Sequence, residues 1–308
     1  MQRLTSDCPV PPPFRGGVVA LGNFDGFHAG HQAVVGRAVA RARAAGRPAI
    51  VATFDPHPVT HFRPGSPPFR LTTLDQRARL LAAAGVDAML VYGFDAAMAG
   101  ASPEDFVARH LIGTAGAAEV VTGLDFTFGA ARSGTAALLA DLGARHGLAA
   151  EAVAPVVDAG GPISSSRIRR ALVEGDMAEA ARLLTRPYAI EGIVGHGDKR
   201  GRTIGYPTAN MDLADYQRPR YGIYAVTAAL DDGRIVPGAA NVGIRPTFDP
   251  PKELLETYLF DFAESLYGRV VAVSLRHFLR PEAKFTTIEA LVGQMDEDCR
   301  EARRLLGA

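Results

Sequence analysis

The sequence predicts two joined domains of different class: a parallel, doubly wound α/β domain over residues 1–185, then an antiparallel β-barrel with a terminal helix over 186–308. Three observations carry this. Up to about residue 184, short and nearly continuous apolar runs alternate with longer Ala-, Arg- and Leu-rich stretches, the texture of a parallel sheet buried on both faces. Beyond it the runs are short, β-rich and punctuated by Gly, Pro and Asp, a spacing that favours an antiparallel barrel or sandwich. At 308 residues the chain is long enough for two ordinary domains.

Taken in order, the first dozen residues, ending in Pro11-Pro12-Pro13, read as a loosely tethered lead-in. Strands follow at 18–23, 49–54, 88–93 and 119–123, with a weaker fifth around 152–157. Helical patterns lie between them at 31–45, 74–84, 103–112 and 135–146. Residues 168–184 read as two short helices, and the domain boundary falls near 185–187. β-rich runs then cover 188–194, 223–230, 235–242, 254–262 and 270–278. A last amphipathic helix, about 287–306, places Ile288, Leu291, Val292, Met295, Cys299 and Ala302 on one stripe, which should pack against the barrel.

Composition excludes several classes. Lys plus Arg and Asp plus Glu number 33 each, so the net charge is +0 and the basic surplus of a nucleic-acid binder is missing. Cys8 and Cys299 stand near opposite ends with no metal-type spacing, so neither a disulfide framework nor a zinc site is indicated. No run reaches the ~18 apolar residues of a membrane span, and the N-terminus lacks a signal-peptide layout. The expectation is a soluble, cytoplasmic protein with no nucleic-acid or membrane partner; self-association stays open.

Two phosphate-handling motifs stand too far apart to belong to one site. The first strand ends in Gly22-Asn23-Phe24-Asp25-Gly26, and a helix opens near His31. His28-Ala-Gly-His31 therefore sits at a strand-to-helix turn, where free N–H groups and the helix dipole favour a phosphate. Imidazoles three residues apart can hydrogen-bond phosphate oxygens there, and Gly30 lets a nucleotide approach the backbone. The plain alternative, two exposed histidines at a helix start, is disfavoured by the turn that precedes them. Downstream, Val194-Gly195-His-Gly-Asp-Lys199-Arg-Gly201-Arg202 has three glycines and three cations, and is neither a Walker A loop nor a Rossmann fingerprint. Alone it would read as a solvated loop. It runs into Gly205-Tyr-Pro207-Thr208-Ala-Asn210, where Thr208 and Asn210 are two apart in an extended segment and point the same way. A hydroxyl and an amide oxygen side by side suit a hard cation such as Mg²⁺ bridging to phosphate.

These motifs carry a resemblance. Residues 22–31 resemble the His-x-Gly-His motif of the adenylyl- and cytidylyltransferase superfamily, in the form found in bacterial FAD synthetases. Their second ATP motif, Ile-Ser-Ser/Thr-x-Arg-Ile-Arg, is matched by Ile163-Ser164-Ser165-Ser-Arg167-Ile-Arg169. By itself that segment reads as an ordinary capped helix start, with Arg167 adding a permanent cation and Arg169 pointing elsewhere. Thr53-Phe54-Asp-Pro-His57-Pro58 and Gly123-Leu-Asp125-Phe-Thr-Phe128-Gly129 match further family segments, both after strands, at the sheet end where open α/β domains bind ligands. Phe54, Asp125, Phe126 and Phe128 could shape a flavin or adenine pocket, although an aromatic beside a strand is as readily core. The C-terminal stretch resembles the Gly-Arg-x-(Leu/Ile)-Gly-(Phe/Tyr)-Pro-Thr-Ala-Asn motif of riboflavin kinases, extended by Tyr221-Gly-Ile-Tyr, Asn241-Val-Gly-Ile-Arg245-Pro-Thr-Phe, Leu266-Tyr-Gly268 and Leu279-Arg-Pro-Glu-Ala-Lys-Phe285.

The resemblance implies a Rossmann-like nucleotidyltransferase domain and a riboflavin kinase-like barrel. The implied chemistry is ATP-dependent phosphorylation of riboflavin to FMN, then adenylylation of FMN to FAD, with Mg²⁺ on the ATP. In the second reaction an already anionic phosphate attacks, so no base is required and positioning by His28 and His31 dominates. In the first, an alcohol attacks and a base is required. The candidate is Glu256, which alternation places with Leu254, Tyr258 and Phe260, and which matches the family's base position; an edge-exposed carboxylate is the plain reading. The sequence departs from the family where Phe248-Asp-Pro-Pro-Lys-Glu-Leu replaces glycines, where Tyr258 replaces His, and where Ala263-Glu-Ser replaces Asp-Gly-Asp. A single-activity enzyme with one decayed domain, or a sensor without turnover, are the alternatives. The presence of Thr208, Asn210 and Glu256 beside the paired histidines disfavours both.

Overall fold

The computed structural model describes residues 1–196, 205–245 and 252–308, apart from the side chain of Arg245. Internal contacts divide the chain into two units, Met1–Pro67 with Leu74–Ser164, and Pro68–Thr73 with Ser165–Ala308. The first contains β1 (Gln2–Thr5), β2 (Val18–Leu21), α1 (Ala29–Ala44), β3 (Ala49–Asp55), a short α2 (Pro58–Phe62), α3 (Leu74–Ala83) and β4 (Ala88–Gly93). It continues with α4 (Ala96–Gly100) and α5 (Pro103–Asp105), which runs on as a π-helix over Phe106–Thr114. Then come β5 (Glu119–Gly123), a hairpin of β6 (Thr127–Phe128) and β7 (Gly134–Thr135), α6 (Ala136–Arg145), β8 (Ala149–Val153), and a hairpin of β9 (Val157–Asp158) and β10 (Gly161–Pro162).

The main sheet runs β1-β4-β3-β2-β5-β8, with every pair parallel. From β2 the chain moves outward through β3 and β4, then returns to the opposite side of β2 for β5. The carboxyl ends of β2 and β5 therefore diverge at a topological switch point, where such sheets bind ligands. Burial on both faces explains the continuous apolar strands: Val19 and Leu21 join one core with Leu90, Phe106 and Leu139, while Val18 and Ala20 join another with Val35, Val51 and Met89.

Two expectations need correction here. Residues 2–5 are not a loose lead-in but a parallel edge strand, in register from Gln2 opposite Ala88 to Thr5 opposite Val91. The free edge of β4 supplies backbone partners that composition does not advertise. The fifth strand begins at Ala149 rather than 152, because Gly147 at φ +73° ends the α6 turn and the chain extends directly after buried Leu148.

The second unit contains α7 (Ser165–Glu174), α8 (Met177–Leu184), β11 (Tyr188–Ile193), β12 (Ala209–Asp212), β13 (Gly222–Ala229), β14 (Ile235–Arg245), β15 (Lys252–Leu259), β16 (Val270–Arg280) and α9 (Ile288–Leu306). Its strands run β11-β16-β13-β14-β15-β12, all antiparallel. The Gly195 N–H donates to the Asn210 carbonyl at 2.9 Å, bringing the two ends of the sheet together into a nearly closed barrel. By contacts α7 and α8 go with this barrel, α8 lying against β11 and β16, whereas the boundary read near 185–187 follows the change from helical to β-rich texture. The Thr287 hydroxyl caps α9 through the Ala290 N–H. The stripe on α9 holds from Leu291 to Ala302, but Ile288 is 62 % exposed because the first turn of the helix is exposed throughout.

Candidate active sites

Between β2 and α1 the chain turns sharply, with Phe24 (φ +50°), Gly26 (φ +86°) and Phe27 (φ +44°) all in the left-handed region. That conformation is strained for the two phenylalanines; both rings are buried in the core, which offsets the strain. The turn delivers His28 to the N-cap of α1, where its Nδ1 accepts from the His31 N–H at 3.3 Å. The two imidazoles stack, with centroids 3.6 Å apart and planes at 19°, and Phe24 stands edge-on to His31 at 5.3 Å. A Cβ on Gly30 would lie 3.1 Å from His28 Cε1 and 3.2 Å from the Ile163 carbonyl oxygen, so glycine is what admits the ring beside the helix start. The pair thus sits at the N-terminus of a sixteen-residue helix, whose dipole and free N–H groups favour an anion.

Beneath this turn lies a buried polar network that sequence reading missed. Arg77 on α3 is 4 % exposed; it donates to Thr53 Oγ1 at 3.0 Å and to Asp25 Oδ1 at 3.5 Å. Thr53 Oγ1 donates in turn to the Asn23 carbonyl at 2.9 Å. The Asn23 Oδ1 atom is buried and has no hydrogen-bond partner among the described residues. The signal for Arg77 was present: Leu74, Arg77, Ala78 and Leu81 share one helical face, so a cation stands on an apolar stripe.

The remaining first-domain candidates are less concentrated. Gly22 donates its N–H to the Ala52 carbonyl at 3.1 Å, fixing the start of the turn. Phe54 is largely core, packed on Tyr92 and Phe94 at 5.8 Å each. His57 caps α2 by accepting from the Val59 N–H at 3.2 Å. Phe128 is buried against Phe106 and Phe126, whereas Asp125 is exposed. Ser164 ends the first unit, and Ser165 and Arg167 open α7 in the second. There Arg167 donates to Glu179 Oε1 at 2.8 Å, and Arg182 and Arg167 together hold the Glu179 carboxyl below its usual range, Arg182 most strongly. Arg169 donates to the Phe69 carbonyl at 2.8 Å and lies over that ring, which gives it a structural role.

In the barrel, Lys199, Gly201 and Arg202 lie outside the described residues, as does the side chain of Arg245. Gly205, at φ +89°, and Pro207 lead into β12. Register then does what sequence distance hides: Asn210 on β12 and Asn241 on β14 both stand directly opposite Glu256 on β15. Asn210 Nδ2 donates to the Thr208 carbonyl at 3.1 Å, which fixes the orientation of its amide. Asn241 Nδ2 donates to Glu282 Oε1 at 3.1 Å. Glu256, Asn241, Thr208 and Tyr258 line a cavity of about 310 Å³, whose far wall includes Met295 and Cys299 of α9. A second cavity of about 380 Å³, lined by Pro207, Thr257, Leu266 and Tyr267, also reaches Thr208. Thr208 therefore borders both.

Titratable groups on the walls of the first cavity are shifted by burial. Burial pushes the Cys299 thiol up to about 11, so it stays a neutral thiol at physiological pH. The Tyr206 hydroxyl donates to Asp296, and burial foremost, then that carboxylate, raises the phenol above its usual range. At its rim Arg280 pairs with Asp298 at 2.6 Å. Further along β15, Arg218 and the Tyr221 hydroxyl clamp Glu253, three residues before Glu256, with the Arg218 contact at 2.6 Å.

Comparison with known proteins finds a family model for each part of the chain. The family model for FAD synthetase matches residues 11–167, and that for riboflavin kinase matches residues 184–306. The bifunctional riboflavin kinase/FMN adenylyltransferase of Escherichia coli (strain K12) is 38% identical over 295 residues, covering 96% of this chain and 94% of the relative. That of Bacillus subtilis (strain 168) is 39% identical over 294 residues, covering 93% and 92%. A crystal structure described as a macrolide-efflux protein from Streptococcus pneumoniae superposes with a TM-score of 0.87 at 34% identity, covering 99% of both chains. Similarity of this extent, carried through both units and their motifs, means that the chain belongs to the bifunctional riboflavin kinase/FMN adenylyltransferase family.

Proposed function

We propose that the chain converts riboflavin to FMN in the barrel and FMN to FAD in the α/β domain, with ATP as the second substrate of each step. The division of labour is the one read from the sequence: adenylyl transfer over residues 1–185, phosphorylation over 186–308. The observation that carries it is a contrast in side chains. One cavity has a carboxylate, Glu256, flanked across the sheet by two amides; the other site has paired imidazoles at a helix N-terminus.

In the barrel, the ribityl 5′-hydroxyl lies toward Glu256, which takes its proton as the oxygen attacks the γ-phosphorus of ATP and ADP leaves. The cavity, at about 310 Å³, sits at the small end of the range for small-molecule sites, roughly 300–1,000 Å³. The nucleotide occupies the second cavity, so Thr208 stands where γ-phosphate and hydroxyl meet. Mg²⁺ fits the donor set: Thr208 and Asn210 offer neutral hard oxygens, and among the described residues no cluster of three or more His, Cys, Asp or Glu could hold a metal alone. A cation held by two such oxygens needs the triphosphate for its other ligands, and when bound it would neutralise developing phosphate charge.

In the α/β domain, an oxygen of the FMN phosphate attacks the α-phosphorus of ATP and pyrophosphate leaves. His28, His31 and the first N–H groups of α1 stabilise the added negative charge, and Gly30 leaves the room that the His28 ring occupies beside the helix start. The candidate contacts Asn23, His57, Asp125 and Ser164 complete the substrate surroundings within this unit. No helix among the described residues is long and apolar enough to cross a membrane, and we place both reactions in the cytoplasm. The test is a time course with riboflavin and Mg-ATP, with products resolved by chromatography: FMN should appear first and FAD after it. Absence of either product removes the corresponding half.

A further inference from the structure

An anion-binding turn that contains a buried carboxylate is an electrostatic contradiction. Asp25 is 2 % exposed and belongs to the same turn as His28 and His31, where the triphosphate has to lie. A carboxylate there repels each phosphate oxygen, and low local dielectric strengthens the repulsion. Arg77 resolves it. Its guanidinium, 4 % exposed and permanently charged, stands 3.5 Å from Asp25 Oδ1 and 3.0 Å from Thr53 Oγ1, and Thr53 is fully buried. Through Thr53, which donates to the Asn23 carbonyl at 2.9 Å, the same side chain braces the backbone two residues before Asp25.

We infer that Arg77 is a positioning residue for adenylyl transfer: it cancels the charge of Asp25 and holds the 23–25 turn in the shape that admits the triphosphate. The inference rests on the proposed adenylyltransferase reading of this turn. Arg77 need not touch ATP; its effect passes through Asp25 and Thr53. A charge role and a bracing role make separable predictions. Loss of the cation should act on ATP binding, whereas loss of the fork geometry with the cation retained should act on turnover.

The experiment measures FMN-to-FAD kinetics in the full chain for wild type, Arg77→Gln, Arg77→Lys and the double variant Arg77→Gln with Asp25→Asn. A unit negative charge no longer offset by Arg77, within about 10 Å of the phosphates at an effective dielectric near 20, corresponds to at most roughly a tenfold rise in KM for ATP. Arg77→Gln should show that rise, while phosphorylation of riboflavin by the same molecule stays unchanged. Arg77→Lys should keep KM near wild type and lower kcat. Adding Asp25→Asn to Arg77→Gln should bring KM back toward wild type, a recovery that lost packing would not produce. The inference is overturned if Arg77→Gln leaves KM for ATP unaltered, if lysine and glutamine behave alike in KM, or if the double variant is no better than the single. Failure of the wild type to make FAD at all would instead overturn the adenylyltransferase reading itself.

Discussion

At the N-terminal site two imidazoles, the cap and the permissive glycine come from four consecutive residues, His28 to His31. At the C-terminal site Asn210, Glu256 and Asn241 come from three strands and meet only through barrel register. The contrast follows the chemistry proposed for the two sites. A phosphate that is already anionic needs a preorganised positive pocket, and one helix start provides that locally. An alcohol needs a base held beside it and a phosphate held in line, and no single loop carries both. The local site depends on one turn being correct; the distributed site depends on a whole sheet being in register, where a slip of one residue turns Glu256 to the opposite face.

The sharpest way to break the comparison is to remove the proposed base. Glu256→Gln keeps the shape of the cavity and should lower riboflavin phosphorylation by about 10²–10⁴-fold, while supplied FMN is still converted to FAD. Chromatographic rates for both steps in one preparation decide it; loss of FAD formation from FMN would mean that the two sites are not separate. The next largest effect belongs to the imidazole. His28→Asn retains a good N-cap for α1 but removes the ring stacked on His31, and FAD formation should fall by about 10²–10³-fold. FMN should then accumulate from riboflavin. Equal slowing of both steps would count against assigning His28 to adenylyl transfer alone.

The same contrast governs what was legible in the sequence. Strand-to-helix alternation and the 22–31 turn are local, and both are found in the structure as read. Elements that depend on distant partners were not legible. β1 exists because β4 has a free edge. Ile288 lies on the apolar stripe of α9 but remains exposed, because the barrel wall is met only from Leu291 onward. Asn241 was visible as part of a motif, yet nothing in its spacing from Glu256 says that β14 and β15 pair so as to place the two opposite each other. Arg77 falls between these cases: its place on an apolar helical stripe was readable, its partners Asp25 and Thr53 were not.

The smallest expected effect tests how the distributed site is braced. Glu253 lies on β15 three residues before Glu256, and the Arg218 guanidinium, foremost among its contacts, holds its carboxyl below the usual range. A carboxyl whose folded value is lowered stabilises the fold fully above its unfolded value of about 4.3 and loses that contribution as pH falls through the lowered value. Arg218→Ala should therefore destabilise the barrel at pH 7, by about 1.5–3 kcal/mol for a charged hydrogen bond at this degree of burial. Between pH 5 and pH 3 (about one unit either side of a carboxylate's ordinary titration) the wild type should lose stability more steeply than the variant, so that the two curves converge in acid. Calorimetric scans across that range supply the measurement, with the α/β unit's transition as internal reference. If the curves stay parallel, Arg218 braces β15 through packing and its carbonyl contacts at Ala214 and Tyr216 rather than through Glu253. The register of Glu256 would then depend on the loop before β13 and not on an ion pair along its own strand.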